Sequence, residues 1–325
     1  MPAGHGPNLG HGYVKYVVID QHGAELPPVV FPAQIARAGR QVTGALGNAP
    51  IVDIGGGRWW VGEHADLDRA PLTLLAQERL QDPAFIPALL RGALDRFGTL
   101  NGSATGPCVT GLPATWAADL GMARQLGQRL REAWGYSQIK VIPEPLGLVY
   151  AALLDNDGQI VGDSALASGR VGVVDLGHLT IDIAVLRGGV PEKDSLDTWQ
   201  LGTKVPLVTI RGKLAAQTGR ELTIVEADHA VRARAIRVAG QVQPLQKGWD
   251  RPLIEHGPKI AAKLVEAWGN GASLDAILVG GGGAESEPLA AAIRQRFPHA
   301  QIVDEPQTAI ARGYARLARR MGGQR

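Results

Sequence analysis

The stretch Val171-Gly-Val-Val-Asp175-Leu-Gly177-His178-Leu-Thr180-Ile-Asp182-Ile-Ala-Val-Leu186 decides the fold class. A short apolar run ends on an aspartate. A glycine turn and a hydroxyl follow, and a second run carries Asp182 between isoleucines. The pattern is strand, tight turn, strand, which makes a hairpin rather than a strand-to-helix loop. Glycine lets backbone N–H groups approach phosphate oxygens closely. A carboxylate at a strand tip can hold Mg²⁺ through water, because Mg²⁺ dehydrates reluctantly. Taken alone, the stretch reads equally well as an ordinary β-hairpin with a polar turn.

Two further stretches change that balance. Asn8-Leu-Gly10-His11-Gly12-Tyr13-Val-Lys15 leads into the apolar run Tyr16-Val-Val-Ile-Asp20, a second glycine loop with a hairpin. Leu274-Asp-Ala-Ile-Leu-Val279 reads as a buried strand running into Gly280-Gly-Gly-Gly283-Ala284-Glu285, with a helix to follow. Three glycine-bearing loops therefore stand on strand tips. Neither the G-x-G-x-x-G of a Rossmann enzyme nor the G-x-x-x-x-G-K-[ST] of a P-loop enzyme is present.

Around these loops the chain alternates strands and helices, which predicts an α/β fold with a helix-covered sheet. Strands are expected over 26–31, 51–54, 58–61, 107–111, 138–142 and 301–303. Helices are expected over 82–97, 115–134, 205–218, 226–238, 254–268 and 306–321, with another opened by Glu144-Pro145, where proline suits the first turn. Residues 2–7 contain almost no β-formers; 33–50 and 240–252 read as irregular, and the polar segment 155–170 as a domain boundary.

The 325 residues are enough for two domains, and 45% hydrophobic with 20% charged residues is ordinary for a soluble globular chain. A net charge of +2 does not demand nucleic acid or an anionic membrane. Cys108 is the single cysteine, so no internal disulfide forms and a reducing, cytoplasmic setting is expected. No apolar run is long enough to span a bilayer, and residues 1–8 lack the apolar core of a signal peptide.

Five motifs in order resemble the actin-like ATPases, over nearly the whole chain. Residues 8–15 resemble the phosphate-1 motif D-x-G-x-G-x-x-K, with Lys15 in the lysine position. Asp175 to Asp182 resembles phosphate-2, D-x-G-x-x-T-x-D. Glu144-Pro-Leu-Gly-Leu-Val-Tyr-Ala151 resembles connect-1, Val279 to Ala284 the adenosine motif, and Asp304 to Tyr314 connect-2. The length, the run from Gly12 to Asp20 and Leu201-Gly-Thr203 before a helix are similar to the ParM/StbA branch of plasmid-segregating actins.

That resemblance implies two related α/β domains with a nucleotide cleft between them: residues 1–155 plus 306–325, and residues 156–305. It implies ATP or GTP with Mg²⁺, held by Gly10, His11, Gly12, Tyr13, Lys15, Gly177, His178, Leu179, Thr180, Gly280, Gly281, Gly282 and Gly283, with Glu226 beside the base. Asp175 would hold Mg²⁺ through water and Glu144 would orient or deprotonate the attacking water. Asn8 stands where the family has aspartate, so it brings no negative charge to the metal and weaker hydrolysis is expected. The implied function is a head-to-tail filament driven by nucleotide, moving plasmid DNA through a DNA-bound adaptor, with no membrane and no direct DNA contact. A non-hydrolysing nucleotide-bound scaffold and a small-molecule kinase are the alternatives.

Several residues have plainer readings. Glu144 can be a carboxylate favoured by a helix dipole, Asp182 a structural member of the hairpin, and Lys15 a surface lysine. His11 and His178 hold matching loop positions and can donate to phosphate, or can simply be exposed. Arg312, Arg316, Arg319 and Arg320 share a helical face that is expected to be solvated rather than to bind DNA. Trp59-Trp60 is either local core or an exposed filament contact.

Overall fold

The computed structural model describes residues 1–39, 50–68, 70–75, 77–98, 106–161 and 164–323. The expected loop over 33–50 and the boundary over 155–170 thus lie partly outside the described residues.

The first half runs β1 (Gly4–Leu9), β2 (Tyr13–Ile19), β3 (Val29–Pro32), β4 (Ile35–Arg37), β5 (Val52–Ile54), β6 (Gly57–Val61), α1 (Glu78–Gln81), α2 (Phe85–Arg96), β7 (Pro107–Leu112), α3 (Ala114–Ala117), α4 (Leu120–Ala133), β8 (Gln138–Pro143) and α5 (Leu146–Leu153). The second half runs α6 (Ser164–Ser168), β9 (Arg170–Leu176), β10 (Ile181–Arg187), β11 (Val190–Pro191), β12 (Asp197–Trp199), α7 (Lys204–Thr218), α8 (Ile224–Ala233), β13 (Ala235–Val238) and β14 (Gln241–Pro244). It ends with α9 (Arg251–Trp268), β15 (Ala276–Gly280), α10 (Glu287–Arg296), β16 (Ala300–Ile302) and α11 (Ala309–Gly323).

The two main sheets repeat one plan. The first has the order β3-β2-β1-β7-β8 and the second β11-β10-β9-β15-β16. In each, an antiparallel hairpin leads, and two parallel strands follow on its first-strand side. A separate three-stranded sheet, β4-β6-β5, rides on the first domain.

Each sheet has its own core. Phe31, Leu89 and Leu130 belong to the first, Ile210, Leu264 and Ile277 to the second. A third core, around α5 and α11, joins Val109 of the first sheet to Val173 and Leu278 of the second. Here two glycines decide the packing. A Cβ on Gly313 would collide with the Gly147 carbonyl, so α5 and α11 meet backbone to backbone.

Strand β1 corrects the low β-propensity of residues 2–7. It is buried along its whole length and pairs with β2 from Gly4↔Ile19 to Leu9↔Val14. Its glycines exist for α11, which lies directly on the strand. A Cβ on Gly4 or Gly6 would strike the carbonyls of Ala315 or Ala311. The strand is held by close backbone approach, a use of glycine that propensity scales score as unfavourable.

Other differences have equally local causes. The helix expected over 115–134 is broken: Asp119 accepts from Gly121 N–H and Met122 N–H and starts α4 afresh. The helix expected over 226–238 ends at Arg234, in the left-handed region at φ 51°, and the chain turns into the β13–β14 hairpin, part of which had read as irregular. Within 33–39, Ile35–Arg37 forms a strand. Trp59 is buried, its indole N–H donating to the Ile54 carbonyl at 3.2 Å with the Arg37 guanidinium stacked 4.1 Å over its ring, while Trp60 is half-buried. The α11 arginines are not a solvated face. Arg312 pairs with Glu25 and Glu305, Arg316 donates to the Ala151 carbonyl, Arg320 to the Gly158 carbonyl, and Arg319 is 1% exposed. No helix among the described residues is long and apolar enough to cross a membrane.

Candidate functional site

The β1–β2 and β9–β10 hairpins superimpose in register as well as in plan. Leu9↔Val14 closes one and Leu176↔Ile181 the other, so residues 10–13 and 177–180 are equivalent turns. One pair further in, Asn8 lies opposite Lys15, and Asp175 opposite Asp182. The turns meet tip to tip across the cleft: a Cβ on Gly12 would lie 2.6 Å from Cγ of His178.

The second turn is held from behind. Gly202, Thr203 and Lys204 N–H donate to the carbonyls of Leu179, Gly177 and His178 at 3.1, 3.0 and 2.8 Å. With those carbonyls engaged, the N–H groups of 177–180 are left without an acceptor among the described residues, as are those of 10–12. Consecutive unpaired N–H groups in a turn form an anion-binding nest.

Beneath the turns lies a buried, charged crevice. Oxygen atoms of Glu144, Asp175 and Asp182 lie within 4.8 Å of one another. Burial first, and then mutual repulsion, pushes the Glu144 and Asp175 carboxyls well above the usual range. Lys15 sits among them; burial lowers its pKa, and Asp175 and Glu144 oppose that shift. It is therefore no surface lysine. Glu144 precedes α5 and donates its own N–H to the Leu112 carbonyl at 2.8 Å, which fixes it at the end of β7.

Asp182 differs from its neighbours because its oxygens are occupied. They accept from Ala114 N–H at 2.7 Å, Thr198 Oγ1 at 2.6 Å and Thr180 Oγ1 at 2.8 Å. It ties α3 of the first domain to β10 of the second, and it takes the Thr180 hydroxyl proton that had been expected to face a phosphate.

Neither histidine is an exposed turn residue. His11 packs edge-on against Trp116 at 5.7 Å, and its Nε2 is buried without a partner. Burial, with Arg79 the largest of the charged contributors, holds its pKa well below the usual value. His178 is pushed down to about 4, chiefly by burial. Both rings are neutral near pH 7 and offer one N–H each.

A cavity of about 690 Å³ opens beside the turns, lined by Thr203, Asp228, Arg232, Gly282, Gly283 and Gln307 among others. Of the glycine run, Gly282 and Gly283 reach this cavity. Gly280 packs against Leu148, and Gly281, at φ 82°, touches the Asp175 carboxylate, a place where any Cβ would collide. Glu226 does not line the cavity. Its carboxylate accepts from Thr223 N–H in a capping box and pairs with Arg220 at 2.8 Å. Two residues further along α8, on the opposite face, Asp228 faces the cleft, accepting from the Tyr13 hydroxyl at 2.7 Å and from Arg232 at 2.8 Å.

Two residues of the crevice are not among the expected site residues. Tyr314 of α11 brings a buried hydroxyl without a partner beside Glu144. Arg79 of α1 is buried and donates to the carbonyls of Leu9 and Gly10. Tyr314 closes the A-x-G-Y sequence and could have been suspected from it; nothing in the spacing around Arg79 marks it.

These features fit a nucleoside polyphosphate with a divalent cation. The cavity suits a nucleoside, the turns offer unpaired N–H groups, and Asn8 Oδ1 is buried near Lys15 without a hydrogen bond. The raised carboxyl pKa values mark a cluster that lacks positive charge, which a cation would provide.

No protein-family profile matches the sequence, and no curated protein matches it. Solved structures do. An archaeal actin homolog, Ta0583, superimposes with a TM-score of 0.72 at 18% identity, covering 98% of this chain and 99% of that one. A ParM protein from a 15-stranded filament of Clostridium botulinum gives 0.68 at 20% identity, covering 98% and 99%. A MamK double helical filament gives 0.67 at 16% identity over the same shares. Ta0583 has also been solved in complex with ADP. The chain has the actin-like fold, of two α/β domains.

Proposed function

We propose that this protein is an actin-like nucleoside triphosphatase whose nucleotide state controls its assembly into filaments. The observation that carries the reading is the pair of register-matched hairpins, with unpaired turn N–H groups meeting over a buried charged crevice. Two of the matched structures being filaments, and one matched protein having an ADP complex, supports it.

Bound nucleoside triphosphate with Mg²⁺ would supply the phosphoanhydride to be cleaved and most of the charge neutralisation. The chain's own residues position and polarise. Turn N–H groups of 10–12 and 177–180 bind phosphate oxygens, and Lys15 adds a point charge. Asp175 would hold a divalent cation through water, with Asn8, the first hairpin's equivalent position, as a neutral oxygen acceptor. Glu144 accepts a proton from a water in the crevice, and its reach to that water is what a general base requires. Gly282 and Gly283 allow the nucleoside close to the backbone. The proposed cargo is plasmid DNA held through an adaptor; the α11 arginines are engaged within the chain rather than free for phosphate contacts.

Light scattering with simultaneous phosphate release, after ATP or GTP and Mg²⁺ are added, tests this. Scattering that rises and decays as phosphate appears is the expected result; no scattering with any nucleotide overturns the filament. Asn8 favours one second reading: scattering that persists without phosphate release identifies a nucleotide-bound scaffold.

A further inference from the structure

Arg79 is the one strongly buried cation of the site that no motif accounts for. It is 4% exposed, on a short helix of the segment inserted between β3 and β7. Its Nη2 donates to the Leu9 carbonyl at 2.6 Å and to the Gly10 carbonyl at 3.3 Å. The Phe85 ring lies 5.8 Å away on its apolar side. Among the described residues no carboxylate is close enough to pair with it. Glu144 and, less strongly, Glu78 on its own helix attract it without pairing. Glu144 does so from across a crevice of about 10 Å³ that it and Arg79 line with His11 and Trp116, a volume suited to about one water.

A buried guanidinium without a counter-ion is expensive, several kcal/mol by general experience with buried ions. Two neutral carbonyls are poor compensation, and burial accordingly lowers its pKa to about 10. A fold keeps such a group where a ligand provides the missing negative charge. The bonded carbonyls belong to the last residue of β1 and the first of its turn, so the same side chain turns the N–H groups of 10–12 toward the cleft. The second turn obtains that service from the backbone of 202–204. Among the described residues the first has one backbone bond from behind, Ala33 N–H to the Gly12 carbonyl.

We propose that Arg79 is a positioning residue for the phosphates of a bound nucleotide: it clamps the first hairpin turn and presents an unpaired charge to the polyphosphate from the crevice side. The proposal rests on the nucleotide reading above for the identity of its ligand. It predicts a stronger effect on triphosphate chemistry than on diphosphate binding, because a clamp on the turn and a charge at the crevice both act at the end of the phosphate chain. Lysine is a poor substitute: Nη2 alone makes both carbonyl bonds, which leaves Nε and Nη1 as further donors that a single ammonium nitrogen does not offer at a second position.

The test compares wild type, Arg79→Lys and Arg79→Gln. Hydrolysis of ATP or GTP at saturation, affinity for a fluorescent ADP or GDP, and thermal stabilisation by Mg²⁺ with inorganic tripolyphosphate are measured. Expected are a fall in kcat of about 10²-fold in Arg79→Gln and of about tenfold or more in Arg79→Lys. Diphosphate affinity changes less than about threefold, and tripolyphosphate stabilisation is lost in Arg79→Gln. Wild-type kcat in Arg79→Lys overturns the proposal, which keeps it exposed even where Arg79→Gln does not fold. Equal losses of diphosphate affinity and kcat also overturn it, since they mark a merely structural role. If wild type hydrolyses no nucleotide, the tripolyphosphate arm decides alone. Stabilisation that depends on Arg79 then upholds the anion site while the nucleotide reading falls; no stabilisation of wild type sinks both.

Discussion

The Tyr13 hydroxyl donates to the Asp228 carboxylate at 2.7 Å, joining the first hairpin of one domain to helix α8 of the other across the cleft mouth. Arg232 binds the same carboxylate at 2.8 Å and also pairs with Glu285, so the latch continues to the rim of the large cavity. Burial and the Asp228 charge push the Tyr13 phenol far above its usual pKa, so it remains a donor at any physiological pH.

Removing that donor should loosen the closed state. A hydrogen bond to a charged acceptor contributes about 1.5–3 kcal/mol. Tyr13→Phe is therefore expected to speed release of a fluorescent nucleotide by about tenfold or more, and to lower the melting temperature by a few degrees. Displacement kinetics with excess unlabelled nucleotide make the measurement. An unchanged release rate would show that the latch does not gate the cavity.

Asn8→Asp places a buried carboxylate opposite Lys15, at the position equivalent to Asp175 in the second hairpin. Without metal it adds like charge to a buried cluster and should destabilise the protein by about 1–3 kcal/mol. With Mg²⁺ the penalty should shrink, and phosphate release should rise by about tenfold. Melting curves with and without Mg²⁺, together with a phosphate assay, test both halves. A variant that hydrolyses no faster would place the limiting step elsewhere.

The carboxylate cluster sets a direction for pH dependence. Asp175 is raised from 3.8 to about 7 and Glu144 from 4.5 to about 8. The folded protein therefore holds protons that the unfolded chain has released in that interval. By linkage, this contribution is fully present below about pH 4 and is lost as pH rises to about 8. Urea unfolding of metal-free protein should show stability from these groups falling between those limits, and Mg²⁺ should flatten the slope. Asp175→Asn should flatten it as well. A rising slope that survives the substitution would contradict the assignment.

Arg319 should matter for stability rather than for any partner. Its guanidinium donates to the carbonyls of Met1, Pro2 and Asn156 and pairs with Asp157 at 2.8 Å. Arg319→Met leaves buried acceptors unmet and is expected to cost about 3 kcal/mol. Denaturant titration reads this directly. A loss below 0.5 kcal/mol, on the order of an ordinary surface change, would mean water replaces the side chain.

The parts legible in the sequence are those where chemistry and local geometry coincide. The turn of 177–180 needs a glycine, a strand-end aspartate and flanking apolar runs, and all are adjacent along the chain. Lys15 and Glu144 were legible by resemblance alone, since burial among opposite charges leaves no local mark. Strand β1 escaped propensity because its glycines answer to α11, hundreds of positions away. The arginines of α11 showed a shared face, but periodicity does not say what a face meets. Glu226 was assigned to the correct helix and the wrong side of it: a capping box claims its carboxylate, and Asp228 takes the cleft. Arg79 comes from an inserted segment with no repeating pattern, and only the folded arrangement brings it beneath the first turn.

The contact of α11 with β1 also orders the protein's synthesis. The strand that ends in Leu9 and begins the first turn is made long before the helix for which Gly4 and Gly6 are shaped. On the ribosome, β1 can pair with β2 long before it has its covering layer. The first turn can reach its final rigidity only once residues 309–323 have emerged. A nascent chain should therefore gain its ligand affinity abruptly once residues 309–323 have emerged rather than progressively during elongation.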